Sequence, residues 1–255
     1  MCKKFIHIVF ILVLYFPVSS AAKPLSQSAA LARFEQTRAE IDTQRNILLK
    51  KYRNARSVAE RGAVHREAEK YIAGVFYNYI APAWLGMPWT MAVIDDGLKP
   101  DARIPYEKGK GISCSWFVVS ALENMGVKFG NPRGFAGTIA VHLQQSLSPQ
   151  KKDLKRFFHV SPDQLKKKFI KWGDGLYIIG LNCHVGFVHV QGNIVTFIHA
   201  DYTNPMQVVM EPIEVSEAIE LSEEAGYVVS ALFKDDRLIH HWLTGTKVYF
   251  NGPRK

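Results

Sequence analysis

His184-Val185-Gly186-Phe187-Val188-His189-Val190-Gln191-Gly192-Asn193-Ile194-Val195-Thr196-Phe197-Ile198-His199-Ala200 reads as two strands joined by a tight turn. Val185–Val190 and Ile194–Ile198 are rich in β-branched and aromatic residues, and Gln191-Gly192-Asn193 supplies the reversal. Side chains alternate along a strand, so His184, Gly186, Val188 and Val190 share one face while Cys183, Val185, Phe187 and His189 share the other. Working outward, Leu176–Ile179 precedes this hairpin as a further strand. Gln207–Met210, Tyr227–Phe233 and Lys247–Phe250 follow as others, with Glu214–Glu224 as an acidic helical or irregular connection.

Upstream, Cys114-Ser-Trp-Phe-Val-Val-Ser-Ala-Leu-Glu-Asn-Met125 has apolar residues at helical spacing and stops at Gly126. Cys114 therefore falls in the first turn, with Ser113 as the expected cap. Unpaired N–H groups and the positive dipole end there favour a thiolate, so a lowered thiol pKa is expected, and the same groups can hold an oxyanion. If His184 faces the thiol it serves as general base and then as general acid, with His199 holding its other ring nitrogen. A nucleophile helix on an antiparallel sheet is an α+β fold.

Cys-Ser-x-Phe-Val opening a helix, Gly173-Asp174 before a strand, His-Val-Gly-Phe from His184 and Ile-His-Ala from Ile198 occur in that order. Together with Trp84-Leu-Gly-Met-Pro-Trp89, they resemble the NlpC-type, papain-like family of bacterial cell-wall cysteine peptidases. The resemblance spans roughly residues 80 to 235. It implies a Cys114, His184, His199 triad cleaving amide bonds in peptidoglycan stem peptides, of the D-glutamyl to diamino acid type. Trp89, Tyr106, Ser113, Ser115, Trp116 and Asp201 are the candidate substrate-side residues, Asp201 for either the His199 imidazole or a substrate amine. The family's usual Asp-Cys-Ser-Gly is replaced here by Ser113-Cys114-Ser115-Trp116, and Trp89 stands where the family has a tyrosine, a role Tyr106 is positioned to take over. The alternatives are another thiol amidase or acyl hydrolase of the wider papain-like class, and an inactive wall-binding protein.

The ends of the chain bear on location. Lys3 and Lys4 precede the apolar run Phe5–Phe16, and small residues follow to Ala22. This is the pattern of a cleaved signal peptide over 1–22, its apolar run too short to span a bilayer. The expected protein is secreted or periplasmic, without a stable membrane anchor. Losing Lys3 and Lys4 leaves 30 basic against 23 acidic residues, a charge of +7, suited to acidic wall polymers. The lysine clusters at 151–156 and 166–168 lack a nucleic-acid module, so nucleic acid is not an expected partner.

Cys183 lies opposite His184 by alternation, so it is expected as a buried apolar thiol rather than a disulfide partner of Cys114. A zinc site from Cys183, His184, His189 and His199 fits no common ligand spacing, and neither metal nor cofactor is expected. Between 23 and 80, Phe34, Ile41, Leu48 and Ala55 recur every seven residues among charged neighbours. That predicts two amphipathic helices broken near Ala55-Arg56-Ser57, first as a brace on the 81–255 domain and second as an arm for a protein partner. His240 and His241 are expected in a strand or loop.

Overall fold

The computed structural model describes residues 24–91, 99, 101–148, 154–234 and 236–251. The expected signal peptide lies outside the described residues. Its core is a six-stranded antiparallel sheet. The strands are β1 (Leu154–Phe157), β2 (Gly175–Leu181), β3 (His184–Gln191), β4 (Ile194–Ala200), β5 (Val208–Pro212) and β6 (Tyr227–Ala231), in the order β1-β6-β2-β3-β4-β5. The quoted hairpin forms as read: Gln191 pairs with Ile194 and Phe187 with Ile198.

Both faces of the sheet are covered. On one lie α2 (Phe34–Asn54), α3 (Val58–Val75), α5 (Cys114–Asn124) and α10 (Asp236–Thr244), sharing a core with Val185, Phe187, Ile198 and Ala200. On the other lies α8 (Pro162–Trp172), whose Leu165 and Phe169 pack with Tyr177, Ile179, Val188 and Phe197. The remaining helices are short: α1 (Gln27–Ala32), α4 (Ala81–Trp84), α6 (Pro132–Ala136), α7 (Ala140–Leu147) and α9 (Glu217–Glu220).

The N-terminal helices break at Ala55-Arg56 and bury Phe34, Ile41 and Leu48, as the heptad spacing predicts. They enter the same core as α5. The expected boundary at residue 80 falls inside one helical run, because α3 continues through a π-helical segment, Phe76–Ile80, into α4. Phe76 from that segment meets Phe187 of β3 at 4.6 Å between ring centroids.

Two expectations are corrected. Lys247–Phe250 is no strand; Val248 makes an isolated bridge to Phe129. His240 and His241 lie in α10, a helix whose apolar face buries Leu238, Ile239, Trp242 and Leu243. The lysine-rich stretch also supplies sheet and helix, β1 and α8. The latter begins with a capping box between Ser161 and Gln164 that satisfies both end donors.

Candidate active site

Cys114 occupies the first position of α5, and Ser113 is at the N-cap, but the Ser113 side chain makes no capping hydrogen bond. The backbone N–H groups of Cys114 and Ser115 bear on the sulfur, and a third comes from Val185, the second residue of β3. Burial outweighs them and pushes the thiol above its ordinary value. This overturns the expectation of a lowered pKa. A helix terminus lowers a thiol pKa only where its N–H groups and dipole outweigh the solvation the thiolate loses, and this partly buried thiol packs against the core.

The imidazoles form a chain. His184 Nε2 lies 2.8 Å from His199 Nδ1, and His199 Nε2 lies 3.1 Å from Glu211 Oε1. His184 and His199 are 3% and 0% exposed, so the link between them is shielded from water, while the Glu211 side chain is partly exposed. Burial costs the Glu211 carboxyl, but hydrogen bonding led by His199 prevails and holds it below the usual carboxylate range. Burial, then the neighbouring His199, pulls His184 well below its ordinary value.

Proton positions follow from that chain. An ionised Glu211 can only accept, so His199 donates from Nε2 and offers Nδ1 as acceptor. His184 then donates from Nε2, and its lone pair is left on Nδ1, where no protein atom among the described residues is bonded. The third group therefore sets which nitrogen is basic.

His184 and Cys114 do not lie on one sheet face. His184 follows the alternation onto the side of Val188 and Phe197, whereas α5 packs on the side of Val185. The link between them runs through the backbone: the Val185 amide, next in sequence to His184, reaches the sulfur. No thiol–imidazole hydrogen bond is present among the described residues. Tyr202 spans the gap: its ring centroid is 4.9 Å from that of His184. Burial raises its pKa first, and the charges of Asp201, Cys183, Glu217 and Cys114 raise it further.

Nothing matches this chain among protein-family models, curated proteins or solved structures.

Of the expected substrate-side residues, Trp89 is the one the structure brings toward the centre. Its ring lies 6.5 Å from that of Tyr202, and its Nε1 is buried without a partner. Tyr106 does not substitute for a site tyrosine, because its hydroxyl is engaged by the Leu85 carbonyl and the Gln27 amide. Ser115 donates to the Ala136 carbonyl at 2.6 Å, and Trp116 lies under the Arg103 guanidinium at 4.8 Å. Asp201 does not bind an imidazole: its Oδ1 accepts from the Thr203 amide at 3.0 Å and from the Thr203 hydroxyl at 2.8 Å, closing the loop after β4. Cys183 is exposed rather than buried. It occupies the β2–β3 turn with a left-handed φ of 59°, and donates to Asn182 Oδ1 at 3.7 Å.

Glu211 and Tyr202 were the residues sequence reasoning missed. Glu211 pairs with Phe197 across β4 and β5, which puts it on the face of His199 and diagonal to it. The expected strand ended at Met210, one residue short of that signal. No group of three or more potential metal ligands converges among the described residues.

Proposed function

We propose that this chain is an exported cysteine hydrolase of the NlpC type that cleaves amide bonds in peptidoglycan stem peptides, between a D-glutamyl residue and a diamino acid. The observation that carries this reading is the His184–His199–Glu211 chain at the start of β3, where the next residue, Val185, sends its amide to the thiol at the N-terminus of α5. Packed cores do not need two connected buried imidazoles, whereas acyl transfer needs an oriented base next to a nucleophile.

In this mechanism the free enzyme holds both partners neutral, since burial raises the thiol and lowers His184. As sulfur attacks the scissile carbonyl carbon, its proton passes to His184 Nδ1. The tetrahedral oxyanion is held by the N–H groups at the start of α5. His184 then protonates the leaving amine, and water hydrolyses the thioester by the reverse sequence. Glu211 and His199 stabilise the imidazolium that forms between those steps. A net positive mature chain concentrates such an enzyme on anionic wall polymers.

The test compares mature protein with its Cys114→Ala variant on sacculi and defined muropeptides, with products read by mass spectrometry. New fragments from the unsubstituted protein alone are expected, at masses that locate the D-glutamyl bond. Fragments at another amide reassign the substrate within the same chemistry. No fragments from either folded protein removes wall peptides as the substrate.

A further inference from the structure

A second cleft, of about 370 Å³, opens between α3 and the far ends of β2 and β3. Its wall includes His189, five residues along β3 from His184, or about 16 Å at the usual rise of a strand. It shares no residue with the centre around Cys114.

Arg66, Glu69 and Lys70 line it from α3, and Asn78 from the π-helical segment. Spacings of three and four residues put the α3 side chains on one face of the helix. Arg66, Glu69 and Lys70 make no ion pair among the described residues. Burial raises the Glu69 carboxyl, against the pull of Lys234. That lysine is itself tied down, donating to the Trp172 carbonyl at 3.1 Å and the Tyr177 hydroxyl at 2.7 Å.

Two further wall residues carry unmet polar demand. Asn78 and His189 are each 6% exposed, and Asn78 Oδ1 and His189 Nδ1 have no protein partner. Tyr77 stacks on the His189 ring at 4.1 Å and fixes its plane. Burial lowers His189 to about 4, so the ring is neutral at neutral pH. Buried polar atoms without partners cost free energy unless something supplies the missing bond.

The charges select the ligand. A simple anion would face Glu69 and Asp174; a simple cation would face Arg66, Lys70 and Lys234. Only a molecule carrying both charges finds a partner for each, and the volume is at the lower end of the range for small-molecule sites. We propose that this cleft is a binding site for a zwitterionic amino acid or dipeptide, its ammonium held by Glu69 and Asn78 and its carboxylate by Arg66 and Lys70.

The experiment titrates the mature Cys114→Ala protein, which cannot turn over, with L-Ala-L-Ala, N-acetyl-L-Ala-L-Ala and L-Ala-L-Ala amide. Heat and the His189 ring signals in NMR are read together, so that binding is located at this cleft. The free dipeptide is expected to bind about tenfold more tightly than either blocked form, the equivalent of one charge-assisted contact each. Glu69→Gln should abolish the advantage over the acetylated form, and Arg66→Gln the advantage over the amide. Three equal affinities, variants that behave like the parent, or no shift at His189 at about 10 mM dipeptide would each overturn the assignment. Wall-peptide cleavage stands or falls separately, because it is read on the thiol-bearing protein.

Discussion

At the residue scale, the centre depends on a proton arrangement that one amide substitution can invert. In Glu211→Gln, the carboxamide can donate to His199 Nε2, turning that nitrogen into an acceptor and His199 Nδ1 into a donor. His184 Nε2 then accepts, and its proton moves to Nδ1, the nitrogen that takes the thiol proton in the proposed mechanism. Turnover should fall by about 10³- to 10⁴-fold, the cost of a wrong tautomer in a hydrolase triad, with little change in KM. Glu211→Asp, which remains an acceptor, should retain more activity than Glu211→Gln although it is shorter. Equal rates for the two variants, measured as kcat on a muropeptide, would show that the carboxylate does not set the tautomer. The pairing of His184 with His199 was legible in the sequence because the hairpin that brings their strands together was. Glu211 was not, since a glutamate near a strand end is ordinary until strand register makes it a neighbour of His199. Cys183 was misread for a related reason: alternation holds inside a strand, and this residue belongs to the turn.

Among the elements, the β3–β4 hairpin positions the imidazoles through a glycine as well as through its strands. A Cβ at Gly186 would lie 2.7 Å from His199 Cβ, 2.7 Å from Phe197 Cε2 and 3.0 Å from the Ile198 carbonyl oxygen. The absence of a side chain lets β4 approach closely enough for His199 to meet His184. Gly186→Ala should therefore cost about 2 kcal/mol from overpacking, with Tm lower by about 4–8 °C. The loss of kcat should exceed what that instability explains, because His199 itself is displaced. A variant with parental Tm and kcat would show that the contact relaxes without moving the histidine. The hairpin was readable because β-branched residues, alternation and a Gly-Asn turn agreed. α8 was passed over although its capping box is local, since its lysines drew attention away from Leu165 and Phe169 on the other side. β1 carried little signal: Lys155 and Arg156 are exposed, and only pairing with β6 makes a strand of the segment.

For the whole molecule, the question is whether the N-terminal helices unfold with the sheet or apart from it. Phe76 touches Phe187 of β3, Tyr52 of α2 stacks on His65 at 5.1 Å and meets His240 of α10 edge-on at 5.6 Å, and Trp242 of α10 donates to the Met125 carbonyl at the end of α5 at 2.7 Å. These contacts tie residues from both sides of position 80 into one core, which predicts a single cooperative transition. Leu48, fully buried in α2, tests it at a site distant in sequence from Cys114, His184, His199 and Glu211. Leu48→Ala should cost about 2–5 kcal/mol through lost burial and a residual cavity, lowering Tm by about 2–4 °C for each kcal/mol. If the core is shared, far-UV circular dichroism and the near-UV signal of the buried Trp84 and Trp242 shift together, and activity on muropeptides is lost at the same temperature. A helical transition that moves alone, leaving the tryptophan signal and activity at their original temperature, would make residues 24–80 a separable arm and return the partner-binding reading to first place.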